Sequence, residues 1–180
     1  MGLLAVAPVR QKWLHSRTAG AEITRLSKFL RADCEIGIPM AFGMRRSDLQ
    51  AMAQAKLDDA TILLAHGRFS NAYYLAGYAV ELGLKACIAA QVNAETIPDK
   101  EFIKKIYSHV FPELIGLAGL AAEFKRRKDE NPAFAANWAI VSEWSPDVRY
   151  EQRDPMSAQL MLQAIIEPER GVLPWIKTFW

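Results

Sequence analysis

Asn71-Ala72-Tyr73-Tyr74-Leu75-Ala76-Gly77-Tyr78-Ala79-Val80-Glu81-Leu82-Gly83-Leu84-Lys85-Ala86-Cys87-Ile88-Ala89-Ala90-Gln91-Val92 reads as one long helix. Tyr74, Tyr78, Glu81 and Lys85 follow one another at intervals of four, three and four, which sets them along a single face. The remaining faces are apolar. A helix that is apolar nearly all round yet carries one Tyr-Tyr-Glu-Lys stripe belongs at the centre of a bundle, with its polar groups meeting partners across it. Cys87 in this setting is expected to behave as a small core hydrophobe. Glu81 and Lys85 interrupt the apolar run from Ala72 to Ala90, and the cost of placing both charges in lipid argues against a membrane span.

The flanking segments continue the helical pattern. Towards the N-terminus, Ser47-Asp48-Leu49-Gln50 has the form of a capping box, and Leu49, Ala53, Leu57, Ala60 and Leu64 form an apolar stripe behind it. His66-Gly67-Arg68 is expected to stop that helix, with Gly67 left-handed, His66 complementing the last carbonyls and Ser70 capping the next helix. Towards the C-terminus, a loop over Asn93 to Pro98 leads to a helical segment from Asp99 to Tyr107. A further one runs from His109 to Leu120, with Pro112 near its start and Gly116 and Gly119 weakening it. Lys125-Arg126-Arg127-Lys128 reads as a solvated polar connection. A helix over Pro132 to Glu143 stops before Trp144-Ser145-Pro146, and Asp147 to Asp154 reads as a polar loop. The last helix begins near Pro155, and Pro168, Gly171 and Pro174 break the pattern before a tail with Trp175, Phe179 and Trp180. No β-type alternation, glycine-rich phosphate loop or internal repeat occurs. The pattern predicts an all-α protein, a helical bundle over residues 44 to 180. An N-terminal extension precedes it over residues 1 to 43, with one helix from Ala19 to Ala32; Met44, directly before the helix-start signal, is a second reasonable translation start.

Composition sets outer bounds. With 180 residues, 51% of them hydrophobic, the chain has enough apolar material for one core. A formal net charge of +2 gives too weak a field to argue for nucleic-acid binding, so any such reading must rest on local features. Cys34 and Cys87 are far apart and lack a companion CxxC or histidine cluster, so neither a disulfide framework nor a metal site is expected, and a reducing, cytoplasmic setting is. No cofactor is expected either. The apolar run Gly2 to Val9 precedes Arg10 and Lys12, the wrong charge order for a secretory signal.

Two stretches carry a family resemblance. Gly67-Arg68-Phe69-Ser70-Asn71-Ala72-Tyr73-Tyr74-Leu75-Ala76-Gly77-Tyr78-Ala79-Val80-Glu81, running into Leu84-Lys85-Ala86, resembles the helical hairpin of prokaryotic HEPN domains. Trp144-Ser145-Pro146-Asp147-Val148-Arg149-Tyr150 is similar to the segment before the last helix in one subgroup of that family. The resemblance implies an up-and-down bundle of four to five helices that forms homodimers with a polar cleft between subunits. It further implies a role as a ribonuclease toxin, as the partner of a small nucleotidyltransferase in a toxin-antitoxin-like module, or as a non-catalytic nucleotide- or RNA-binding domain.

The family's ribonucleases carry Arg, four to six residues, then His, and act without metal. The positional match to the arginine is Arg149, but positions 154 to 156 are Asp154, Pro155 and Met156, none of which titrates near neutrality as an imidazole does. The spacing recurs at Arg10 to His15, inside the extension, where so loose a pattern arises by chance. A second family pattern is met by Glu81 and Lys85 but has Ala89 in its third place. Catalysis is therefore disfavoured, with Arg149 and His109 as the residues that would carry it; the alternative role for His109 is structural, at a helix start. Arg149, Lys85, Tyr78, Tyr150, Glu81 and Tyr74 form the expected nucleotide or RNA site, with the arginine and lysine on phosphate and a tyrosine stacked on a base. The competing expectation is a buried network in which Glu81 pairs with Arg149 or Lys85 and fixes helix register. A third possibility is a protein scaffold that binds no nucleotide.

Overall fold

Leu49, Ala53, Leu57 and Ala60 are the buried residues of the first helix, α1 (Arg46–Ala65), and their spacing keeps one stripe against the interior. The capping box does not form. Helical hydrogen bonding starts earlier, with Arg45 O accepting from Asp48 N and Leu49 N, so Ser47 already lies inside the first turn and its hydroxyl turns to Asp48 Oδ1 at 3.4 Å. The other end behaves as expected. Gly67 adopts φ +70°, its N–H bonds Leu64 O and that of Arg68 bonds Leu63 O, the paired arrangement that closes a helix on a left-handed residue. His66 Nδ1 lies 2.8 Å from Ile62 O in the last turn.

The computed structural model describes residues 43–92 and 97–180, which belong to the second of the chain's two units, Met1–Phe42 and Gly43–Trp180. The helix expected over Ala19 to Ala32, the Arg10 to His15 spacing, Cys34 and most of the Asn93 to Pro98 loop lie outside the described residues.

The central helix, α2 (Phe69–Gln91), is buried on nearly every side, from Ala72 and Tyr73 to Cys87 and Ile88. It begins two residues before Asn71, and Ser70 does not cap it: the hydroxyl instead accepts from Arg153 N at 2.9 Å, tying the helix start to a segment far along the chain. Gly77 is where Trp144 crosses. A Cβ there would stand 2.2 Å from Trp144 Cδ1, so only glycine admits the indole at this distance.

The rest of the chain wraps this helix in short segments. Asp99 caps α3 (Lys100–Ile106) by accepting from Glu101 N and Phe102 N. The helix expected to reach Leu120 is shorter, α4 (Phe111–Leu117), because Gly119 at φ +71° ends it with the same paired hydrogen bonds as Gly67. The basic run is not a connection but part of α5 (Ala121–Glu130), where Arg126 pairs with Glu123 and Glu130, and Lys125 with Asp129, at helical spacing. α6 (Pro132–Ser142) opens on an Asn131 cap with proline at its first position. The expected polar loop after Trp144 contains a 3₁₀ turn (Pro146–Tyr150) that buries Val148. α7 (Pro155–Ile166) starts on an Asp154 cap, and after the break around Gly171 the tail resumes as α8 (Val172–Lys177), burying Val172, Leu173, Trp175 and Ile176.

The described residues thus form an all-α bundle, eight α-helices and one 3₁₀ turn with no strand. Its greater number of segments than expected comes from the breaks at Gly119, Asn131 and Gly171. One core cluster draws on α1, α2, α4, α6, α7 and α8, and Phe102 and Ile106 of α3 and Phe124 of α5 pack against it. No helix among the described residues is long and apolar enough to cross a membrane.

Candidate functional site

The polar face of α2 carries two groups that stand apart. At its inner end is a buried ionic cluster. Glu81 is 1% exposed, and an ionised carboxylate at that depth is tolerable only if its oxygens are paired. Both are. Oε1 accepts from Lys85 Nζ at 2.8 Å, one helical turn on, and Oε2 lies 2.9 Å from His109 Nδ1.

His109 comes from the connection between α3 and α4, where Ser108 Oγ accepts from Val110 N and donates to Glu113 Oε2 at 2.5 Å, pinning the backbone on both sides. His109 stands just before α4, as the structural expectation placed it, but its partner is a buried side chain of α2. A carboxylate at Nδ1 selects the tautomer with the proton there and leaves the Nε2 lone pair directed away from Glu81. The imidazole remains 52% exposed.

The second group lies nearer the start of α2. Tyr74 and Tyr78 stack with centroids 6.2 Å apart, and Tyr74 also faces Trp144 at 6.1 Å. Trp144 is held by its indole N–H, which donates to Tyr74 O at 3.1 Å, and by Phe111, stacked on its far face at 5.3 Å. Arg149, exposed on the 3₁₀ turn, has its guanidinium 4.7 Å from the Tyr150 ring centroid. Contact with the Tyr150 side chain first, and with that of Tyr74 after it, holds the guanidinium above its usual pKa. Burial, with the Glu81 charge adding to it, raises the Tyr78 phenol.

The structure therefore joins Glu81 to Lys85 and His109, and Arg149 to Tyr150 and Tyr74. It does not join Arg149 to Glu81. Tyr74 and Glu81, seven residues apart, are separated by about 10 Å along the helix axis, farther than one phosphate group spans. At positions 154 to 156, Asp154 caps α7 by accepting from Ser157 N, and Met156 faces solvent.

Two features carried no readable sequence signal. Arg153 lies with its guanidinium 4.5 Å from the Tyr73 ring and shares a cavity of about 330 Å³ with Arg68 and Ser70 at the start of α2. The bond between His109 and Glu81 joins residues 28 apart and depends on how the α3–α4 connection folds back. Among the described residues no three His, Cys, Asp or Glu side chains are grouped to hold a metal ion. No family model, curated protein or solved structure matches this chain.

Proposed function

We propose that the protein is a non-catalytic binding domain of the HEPN type, and that it holds nucleotide or single-stranded RNA along the polar face of α2. The observation that carries this reading is Arg149, an exposed guanidinium resting on Tyr150 and next to the stacked Tyr74–Tyr78 pair. A guanidinium beside aromatic faces suits a ligand that offers a phosphate and a base together. The absence of a histidine at positions 154 to 156 supports binding over cleavage. In this reading the chain acts as a homodimer and works with a small nucleotidyltransferase in a toxin-antitoxin-like module.

The test is fluorescence polarisation of the full chain with a labelled single-stranded oligoribonucleotide. Arg149→Ala is expected to weaken binding about tenfold, as loss of a charge-assisted contact of about 1.4 kcal/mol would. Unchanged affinity in that variant, or no binding by the parent chain, sinks the proposal. Light scattering of the purified chain, alone and with such a nucleotidyltransferase, tests the two assemblies.

One observation favours a second reading, a metal-independent ribonuclease in which His109 moves the proton while Arg149, about 10 Å away along the helix, holds a neighbouring phosphate of the strand. The carboxylate on Nδ1 and the half-exposed ring give His109 the setting of an oriented proton carrier. RNA cleavage by the purified chain in chelator, lost in His109→Ala and reduced in Glu81→Gln, would replace the first reading with this one.

A further inference from the structure

On the other side of Lys85 from the aromatic face lies a cavity of about 330 Å³, bounded by α1, the last turns of α2 and the end of α3. Leu49, Ile88, Ala89 and Ile106 supply apolar walls, while Lys85 and Arg46 supply its charge. Among the described residues no aspartate or glutamate lines it, and apart from the Tyr107 phenol no uncharged polar side chain does either. Its volume falls at the small end of the roughly 300–1,000 Å³ range of small-molecule sites.

Lys85 makes this more than an apolar dent. Its side chain is only 8% exposed, and burying an ammonium is costly unless every donor is satisfied. One of its three donors goes to Glu81 Oε1. Both oxygens of Glu81 are engaged, Oε1 by the Lys85 ammonium and Oε2 by His109, so neither is free to face an incoming anion. Arg46, exposed at the start of α1, adds a second cation at the opening. The rim is apolar, with Met44 51% and Val92 41% exposed.

Two cations, apolar walls and, among the described residues, no carboxylate in the lining define the ligand by complement. We infer that this cavity binds a small amphipathic anion, a hydrocarbon body with a single carboxylate or similar head, the head on Lys85 and Arg46 and the body among Leu49, Ile88 and Ile106. A nucleobase fits less well, since its hydrogen-bonding edge would meet walls that offer no amide or hydroxyl side chain beyond Tyr107. The site is separate from the Arg149 face and does not depend on the reading given to that face.

The probe is decanoate, with decylammonium as its charge-reversed counterpart, each titrated into the full chain while the melting temperature is followed. Decanoate raises the melting temperature saturably, and decylammonium does not. Arg46→Glu, at an exposed position, weakens decanoate at least tenfold; Ala89→Trp, which fills the cavity, abolishes the response. Arg149→Ala leaves it intact. The inference is overturned by the absence of a saturable decanoate effect on the parent chain, by an equal effect of the two probes, or by a decanoate affinity that Arg46→Glu does not change. It is overturned equally if Arg149→Ala removes the response.

Discussion

Glu81 is the residue on which most of the buried electrostatics depends, and its partners make a testable asymmetry. Replacing it with leucine leaves Lys85 buried without a counter-charge and should cost about 3–5 kcal/mol, whereas Glu81→Leu combined with Lys85→Leu should recover most of that loss. Urea denaturation of the parent, the single and the double variant measures both; a double variant as unstable as the single one would refute the account. Gly77 gives a second case. Its place against Trp144 Cδ1 means that Gly77→Ala forces the indole aside, for about 1–3 kcal/mol, and that the penalty shrinks when Trp144 is also replaced by leucine. Cys87 gives a third. The thiol is buried, and burial pushes it up to about 11, so iodoacetamide should label it only once the chain is unfolded. Labelling of the native chain at the unfolded rate would contradict that placement.

Helix ends were legible where a local rule suffices and misread where a distant partner competes. Gly67 stops α1 because a left-handed residue there is cheap only for glycine, and that is written in the sequence. Ser70 has the chemistry of a cap, yet its hydroxyl serves Arg153 N from beyond the 3₁₀ turn, which no local pattern could announce. The basic run of α5 was misread for a simpler reason: four cations in a row resemble a loop until the glutamates and aspartate at helical spacing are counted with them. Asp154 is a cap of the local kind. Hydrogen bonds from the Ser157 side chain and then its backbone hold the carboxyl below its usual range, so its stabilisation is complete above the ordinary aspartate pKa and is lost as pH falls through the lowered value. Asp154→Ala should therefore lower the melting temperature at neutral pH, with the gap to the parent chain closing in acid below about pH 4. A gap that stays constant across that range would show that the cap acts without its charge.

The main core cluster reaches every helix of the bundle, and the small second one, Leu49, Ala53, Leu82 and Ala86, joins α1 to α2, so unfolding of the Gly43–Trp180 unit should be one transition, coincident by far-ultraviolet circular dichroism and by tryptophan emission. Transitions separated by these probes would mean that the short C-terminal helices melt on their own. At this scale the all-α class and the central place of α2 were readable, because both rest on the periodicity of one long segment. The grouping of the site was not. The interval pattern set Tyr74, Tyr78, Glu81 and Lys85 on one face, but which of them meets Arg149 and which meets His109 depends on two connections whose paths are fixed by Trp144 and Ser108. Trp144 also has a photophysical consequence. Its indole lies between Phe111 and Tyr74 and is hydrogen-bonded to the backbone of the polar helix, so its emission should be sensitive to whatever settles on Tyr74 and Arg149. The difference between parent and Trp144→Phe spectra would then isolate an optical signal from within the bundle, an internal reporter for ligands that carry no label of their own.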